Sequence, residues 1–292
     1  MNQQVEQVNF KELARFLATM NQLPEHHVGY CGSKAEEILS TLKEDFSPTD
    51  FVVQYEQGEI IGALGFEVDT ERKELELWGP FVRASNWEEI ADQLWHQRVS
   101  SLSGTETYTC HSFYNEQNTH AIAWMKQKQA TFTGRECILQ VTSNSCERER
   151  MGVEPLQRDD EATFIALHDE LFPNTYYSGR EIVERLNKER VAYVVKEANE
   201  IIGYVYVEGQ KAFKEGSIEF VGVKANARKK GYGKILLSQA VHFLFEAIGV
   251  EDITLCVDED HQAAIHLYKS MGFTEKHMLE AYRLAVTARK ER

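Results

Sequence analysis

"RKKGYGK", Arg228 to Lys234, gathers four cations and two glycines into seven residues of a chain whose formal net charge is -14. A run rich in Val, Ile and Phe precedes it, and apolar residues at helical spacing follow: Ile235, Leu236, Ala240, Val241, Leu244 and Ile248. The order is strand, basic glycine turn, helix. Glycine lets the backbone take unusual dihedrals and approach a ligand closely. The first amides of a helix have no acceptors within it and carry partial positive charge. Such a turn suits a diphosphate. A basic turn before a helix is also ordinary surface structure, so the wider pattern has to decide.

Working outward, the later half predicts a strand near Val153–Gln157, a helix over Asp159–Leu171, the loop "FPNTYYSG" (Phe172–Gly179) and a helix over Arg180–Asn187. Strands are expected at Ala192–Glu197, Glu200–Glu208 and Gly216–Val223, then the glycine turn and a long helix stopping near Gly249. A strand at Asp252–Val257, a helix over His261–Met271 and a last strand about Tyr282–Thr287 complete it. Mixed strands with helices on both faces read as an α/β, or α+β layered, domain.

The same layout occurs twice. "FVVQYEQGEIIG" (Phe51–Gly62) falls on "AYVVKEANEIIG" (Ala192–Gly203) at an offset of 141, and "LWGPFVRA" (Leu77–Ala84) falls on "IEFVGVKA" (Ile218–Ala225) in the same register. "AIAWMK" (Ala121–Lys126) is similar to "AIHLYK" (Ala264–Lys269) at 143. Matches in order at near-constant offset indicate a duplicated domain. The polar, aperiodic "SNSCERERMG" (Ser143–Gly152) reads as the join, giving domains at 1–145 and 152–292.

The spacing Arg228-x-x-Gly231-x-Gly233 is neither the three-glycine dinucleotide fingerprint nor the P-loop. It resembles the Gln/Arg-x-x-Gly-x-Gly/Ala motif of the GCN5-related N-acetyltransferases (GNAT). "EFVGVKANAR" (Glu219–Arg228) is similar to the strand before that motif. "HQAAIHLYKSMGF" (His261–Phe273) is similar to the family's Asn-x-x-Ala-x-x-x-Tyr-x-x-x-Gly-Phe segment; Ala264, Tyr268, Gly272 and Phe273 match, and His261 stands where Asn is usual. The resemblance covers about residues 153–288.

It implies two tandem GNAT-like domains, each a mixed, mostly antiparallel sheet flanked by helices. It implies acetyl-coenzyme A (acetyl-CoA) as cosubstrate, with its diphosphate on Arg228, Lys229, Lys230, Gly231, Tyr232, Gly233 and Lys234. The pantetheine arm would run along Val221, Gly222 and Val223 on a strand splayed from its neighbour, with His261 and Ala264 beside it. The implied reaction is direct acyl transfer to a primary amine in a ternary complex. The backbone N–H of Val221 would meet the oxyanion, and Tyr268 would protonate the departing thiolate. Tyr268 and Ala264 are four apart and so share a helix side.

Glu219 lies two residues before Val221, and strict alternation puts it on the same strand face. It would take the amine's proton directly or through water, with its pKa raised by burial, or it only orients the substrate. Tyr176 and Tyr177 either bind the acceptor or pack the loop. In the first copy, "WEEIAD" (Trp87–Asp92) replaces Arg228–Gly233 and Met125 replaces Tyr268, so that copy reads as degenerate and lacks the pyrophosphate loop. All four tryptophans, Trp78, Trp87, Trp95 and Trp124, fall there, as core or as a ligand pocket.

Charge and composition narrow the classes. Residues 1–150 carry 13 Lys+Arg against 23 Asp+Glu, and residues 151–292 carry 19 against 23. Such a surface repels nucleic acid. Its acidity favours a cationic acceptor or only keeps the protein soluble. No apolar run nears the roughly 18 residues of a membrane span. The start, "MNQQVEQVNF", lacks a signal peptide's pattern, so a cytoplasmic location is expected. Five scattered cysteines without a CxxC give neither a disulfide framework nor a metal site. The expected partner is a small-molecule amine, and oligomeric state is not readable. A non-catalytic acyl-CoA sensor and a protein-interaction module are the alternatives.

Overall fold

The computed structural model describes residues 8–102, 104–142, 152–173 and 175–288. The expected join, Ser143–Gly152, lies outside them except for Gly152. The elements run α1 (Phe10–Asn21), α2 (Ala35–Asp45), β1 (Phe51–Glu56), β2 (Glu59–Asp69), β3 (Glu74–Val82), α3 (Trp87–Ser100), β4 (Thr107–Asn115), α4 (Thr119–Gln127) and β5 (Thr131–Val141). Then come β6 (Val153–Pro155), α5 (Glu161–Leu171), α6 (Gly179–Arg185), β7 (Arg190–Glu197), β8 (Glu200–Gln210), β9 (Glu215–Val223), α7 (Tyr232–His242), β10 (Asp252–Asp258), α8 (Gln262–Ser270) and β11 (Thr274–Thr287).

The chain forms two compact units. The first holds the described residues up to Glu136 together with those from His277; the second is Cys137–Lys276. Division at 145/152 would put all of β5 in the first unit and all of β11 in the second. The structure instead gives residues 137–141 to the second unit and most of β11 to the first. A strand's own alternation does not say which sheet it completes.

In the first unit β1, β2 and β3 are antiparallel, β3 and β4 parallel, and β4 and β11 antiparallel from Leu279↔Asn115 to Thr287↔Thr107. Trp78, Trp87, Trp95 and Trp124 are all buried in its core. They bury large apolar surfaces there, with edge-to-face packing of Trp87 and Trp95 against Trp124.

In the second unit β6 to β9 form an antiparallel meander, and β10 joins β9 in parallel. One face buries Phe164, Leu167, Ile182, Ala192, Val194, Ile201, Tyr204, Tyr206 and Phe220 beneath α5 and α6. The opposite face meets α7: a Cβ built on Gly203 would approach Leu236 and Val223, whereas one on Gly222 would approach Leu171 and Phe172. Ser178 starts α6 with a capping box that includes Glu181. After α7 the helix widens into a π-turn, Phe243–Ile248, and stops at Gly249 with φ +82°.

Candidate active site

The glycine turn has the geometry the sequence predicts. Gly231 sits at the N-cap of α7 in the left-handed region, φ +91°, ψ -7°. Glycine adopts this without the penalty other residues meet. A Cβ placed there would have no atom within 4 Å, so the turn faces open space. No side chain caps the helix. Its first bonds to Gly231 O come from Lys234 N–H at 3.0 Å and Ile235 N–H at 3.2 Å, which leaves the amides of Tyr232 and Gly233 as the helix's leading donors. Lys229 also takes a positive φ, +63°. Arg228, Lys229, Lys230 and Lys234 are exposed around the turn. The cations are partly engaged: Lys230 lies 3.7 Å from Glu197, which also accepts from Tyr232 Oη. Arg228 Nε donates to Val223 O at 3.0 Å.

Beside the turn the sheet opens. β9 pairs with β10 through Asp252↔Glu215, Ile253↔Gly216 and Thr254↔Ser217, and the ladder then stops. From Ile218 onward β9 is held only by β8 among the described strands. The bond from Lys224 N–H to Ile202 O, 2.8 Å, makes Val223↔Gly203 a non-hydrogen-bonded pair, and Val221↔Val205 with it. The amides and carbonyls of Val221 and Val223 therefore point away from β8, into the opening. Gly222 is needed for another reason: a Cβ there would come within 2.7 Å of Leu171.

Glu219 departs from the sequence expectation. The β8–β9 register passes from Tyr206↔Phe220 to Val207↔Ile218, so Glu219 is the extra residue of a β-bulge. The bulge breaks alternation and turns Glu219 to the α5–α6 side, beside Phe220, while Val221 and Val223 face α7. There Tyr176 Oη donates to Glu219 Oε2 at 2.6 Å, and Ser217 Oγ donates to Oε1. Burial pushes the Glu219 pKa up, the two hydroxyl bonds pull it down, Glu208 raises it and Arg185 lowers it. The net shift is upward.

Tyr176 and Tyr177 part company. The Tyr176 ring lies 4.9 Å from Phe220 and is half-exposed. Tyr177 is committed to packing: Arg185 lies 4.2 Å over its ring, and its carbonyl is bound by His168 Nε2 at 2.8 Å. His168, absent from the sequence expectations, is fully buried. Its Nε2 faces a carbonyl and must carry the hydrogen, so Nδ1 accepts from Tyr204 Oη at 2.5 Å. Burial lowers its pKa and keeps the ring neutral. A readable signal existed: Phe164, His168 and Phe172 are spaced by four, on one apolar helix face. Glu208 on β8 is closed by Arg185 at 3.0 Å, Arg190 at 3.1 Å and Tyr206 Oη at 2.6 Å.

From the other side, α8 carries Ala264 and Tyr268, with exposed His261 at its N-cap making no side-chain cap bond. Tyr268 is 7% exposed and lies 6.1 Å from the Phe273 ring. Burial pushes its hydroxyl pKa up to about 12, and Cys256 on β10 adds to the shift. The same cysteine acts on Tyr176. Cys256 lies two residues past Thr254, the last β10 position paired with β9.

The first unit keeps this framework without its contents. Its β3–β4 ladder also stops after three pairs, at Glu76↔His111, offset by 141 and 143 from Ser217↔Thr254. The vacated edge of β4 is occupied by the chain itself: Gly29 N–H donates to Phe113 O at 2.8 Å, Asn115 N–H donates to His27 O at 3.1 Å, and Val28 bridges Tyr114. The buried Asn21 holds this segment, accepting from Val28 N–H at 2.7 Å and donating to Cys31 O at 2.6 Å. Pro80 stands at the position of Val221 and has no N–H to offer. Trp78 stands at that of Glu219. Where the second unit has its glycine turn, α3 has already begun, with Glu88 and Glu89 in its first turn. Asp92, at the Gly233 position, is bound by Trp124 Nε1 at 2.8 Å and Lys128 Nζ at 2.9 Å. No group of His, Cys, Asp and Glu among the described residues is arranged to hold a metal, and no described helix is long and apolar enough to cross a membrane.

Comparison with known proteins bears on the second unit and on the fold. The sequence pattern of the Acetyltransferase (GNAT) family matches residues 155–273. An N-alpha-acetyltransferase of Sulfurisphaera tokodaii is 29% identical over 111 residues, 34% of this chain and 66% of that protein. A mycothiol acetyltransferase of Renibacterium salmoninarum is 34% identical over 85 residues, 27% of this chain and 24% of that one. The matched parts thus span just under two thirds of the first relative and about a quarter of the second. A GCN5-related N-acetyltransferase from Sphaerobacter thermophilus superposes with a TM-score of 0.70 at 18% identity, over 94% of this chain and 92% of that one. A tandem GNAT protein from the clavulanic acid biosynthesis pathway does so with 0.65 at 14%, over 97% and 96%.

Proposed function

Residues 155–273 belong to the acetyltransferase (GNAT) family, and from that premise we propose that this chain transfers an acetyl or short acyl group from acetyl-CoA to a primary amine, in its second unit. The observation that carries the proposal is the open edge of β9 ending at an uncapped helix N-terminus with Gly231 at φ +91°. Uncapped amides and four cations fit a diphosphate. Val221 and Val223, with backbone groups turned into the opening, fit an amide-containing arm; the Val223 carbonyl already accepts from Arg228. Bound acetyl-CoA supplies an activated acyl carbon.

The chain's own residues do the rest. Glu219 removes a proton from the incoming ammonium, directly or through one water, which frees the nitrogen lone pair. The Val221 N–H is a donor for the oxygen that gains negative charge. Tyr268, a phenol kept protonated by burial, holds a proton for the departing sulfur. Tyr176 and Phe220 offer the acceptor an aromatic surface beside Glu219. The acceptor is proposed as a small-molecule amine; the name of the Sulfurisphaera tokodaii relative, an N-alpha-acetyltransferase, makes an α-amine a second class to include.

The test is a panel of primary amines with acetyl-CoA, followed by release of free thiol, alongside calorimetric binding of acetyl-CoA. Gly231→Ala adds strain at positive φ, about 1–2 kcal/mol, and should weaken binding roughly tenfold. Gly231→Glu adds a carboxylate where the diphosphate rests and should remove binding. Unchanged affinity in Gly231→Glu would place the diphosphate elsewhere.

A further inference from the structure

Among the described residues Glu219 makes no ion pair, yet both of its carboxylate oxygens are held by hydroxyls. We infer that Ser217 and Tyr176 are positioning residues for Glu219, each hydroxyl fixing one carboxylate oxygen so that the bulge presents the group as a proton acceptor. This rests on the reading that Glu219 receives the amine's proton.

The geometry is specific. Ser217 lies just before the bulge, at the last position of β9 that pairs with β10, so its backbone is anchored on both sides by Glu208 and Thr254. Its Oγ reaches Glu219 Oε1. Tyr176 comes from the loop between α5 and α6, and its ring lies on Phe220 at 4.9 Å and against Tyr177 at 4.8 Å. That loop is in turn tied down by His168 to the Tyr177 carbonyl and by Asp169 to the Gly179 amide, 2.8 Å each. The 2.6 Å bond from Tyr176 Oη to Glu219 Oε2 therefore joins two independently braced elements. Each carboxylate oxygen keeps a second lone pair for an amine or a water.

The other groups facing this carboxylate are accounted for. Glu208 from β8 opposes its charge and Arg185 from α6 supports it. Arg185 and Arg190 both bind Glu208, and Tyr206 donates to Glu208 as well. Tyr177 is a protonated phenol with its pKa raised to about 12, chiefly by burial. The two hydroxyl bonds from Ser217 and Tyr176 are then what favours the ionised form of Glu219 at short range.

The experiment titrates Glu219 itself in the full chain. Side-chain carboxyl carbons of labelled glutamate are followed by NMR from pH 3 to 9, with Glu219→Gln identifying the resonance. Ser217→Ala and Tyr176→Phe should each move the midpoint up by about one pH unit, the double variant further, and Ser217→Thr should restore it. The remaining glutamate resonances report that the fold is kept. Midpoints that stay in place, or move down, overturn the inference. The base reading is judged separately: if Glu219→Gln keeps its rate on an amine that the panel finds active, Glu219 is not the base, whatever the titration shows. If Glu219→Gln collapses that rate while the midpoints do not move, only the positioning role falls.

Discussion

The hydroxyl of Tyr114 donates to the carbonyl of Gly79 across 2.8 Å, bridging β4 and β3 of the first unit where their ladder has ended. With the His27–Gly29 segment paired along β4, the gap that lies open in the second unit is filled by protein. A pantetheine arm would have to displace backbone hydrogen bonds and the buried Asn21 that anchors them. Acetyl-CoA is therefore expected to bind once per chain. Isothermal titration should return a stoichiometry of one, falling to zero in Gly231→Glu. Two equivalents in the unaltered chain would show that the first unit opens.

Tyr268→Phe tests proton donation without disturbing the core, since the ring is buried and only the hydroxyl is lost. The thiolate would then leave unprotonated. A drop in kcat of roughly 100-fold is expected, with KM for the amine and acetyl-CoA affinity little changed. A rate within twofold of the parent would assign the proton to another group. An acyl-CoA sensor that catalyses nothing would show no effect of the change at all.

Much of this site is local in the chain, and that part was legible. The glycine turn, its helix and Tyr268 follow from spacing over about 40 residues, and the repeat revealed the framework of both units at offsets that the sheet ladders reproduce. What was hidden depends on pairing between distant segments. Alternation placed Glu219 with Val221; one bulge residue reversed it, and no local pattern marks a bulge at Ser217–Phe220. Ser217 and Glu219, two apart, share a strand face by alternation; what was hidden is that the bulge turns that face away from the one that carries Val221. The His27–Gly29 segment reads only as loop, because its partner lies more than 80 residues on. Pro80, at the position of Val221, is a signal the sequence reading passed over: a proline there offers no backbone N–H for the role proposed for Val221.

Stability should depend on pH through the first unit. Glu67, Glu76 and His111 lie in one cross-strand row, since Glu67 pairs with Glu76 and Glu76 with His111. Burial, then Glu67 and Glu74, raise the Glu76 pKa from its ordinary 4.5 to about 7. A raised folded-state value means that the folded chain binds the proton more tightly than the unfolded one. The resulting stabilisation is complete below about pH 4.5 and is lost as pH rises through about 7. Glu76→Gln removes the titration. The variant should gain on the parent between those pH values and stay ahead at pH 8, by something on the order of 2 kcal/mol. Denaturant midpoints at pH 5 and pH 8 measure this; parallel curves would mean that Glu76 titrates normally.

The division of strands between the units makes the last prediction. A fragment cut by sequence at 152–292 lacks residues 137–141, which belong to the second unit as part of the strand beside β10. Cys137, Leu139 and Val141 are buried there at alternate positions. Losing Leu139 alone compares with a large-to-small core change of about 2–5 kcal/mol, and removing the strand also strips the edge of β10 of its ladder partner. Such a fragment should be aggregation-prone and unfold early or without a cooperative transition. The fragment 137–276 keeps that strand and omits most of β11, which pairs with β4 in the first unit. It should melt cooperatively and still bind acetyl-CoA. Calorimetry on the two fragments decides the matter, and a stable 152–292 with a melting 137–276 would return the boundary to the join.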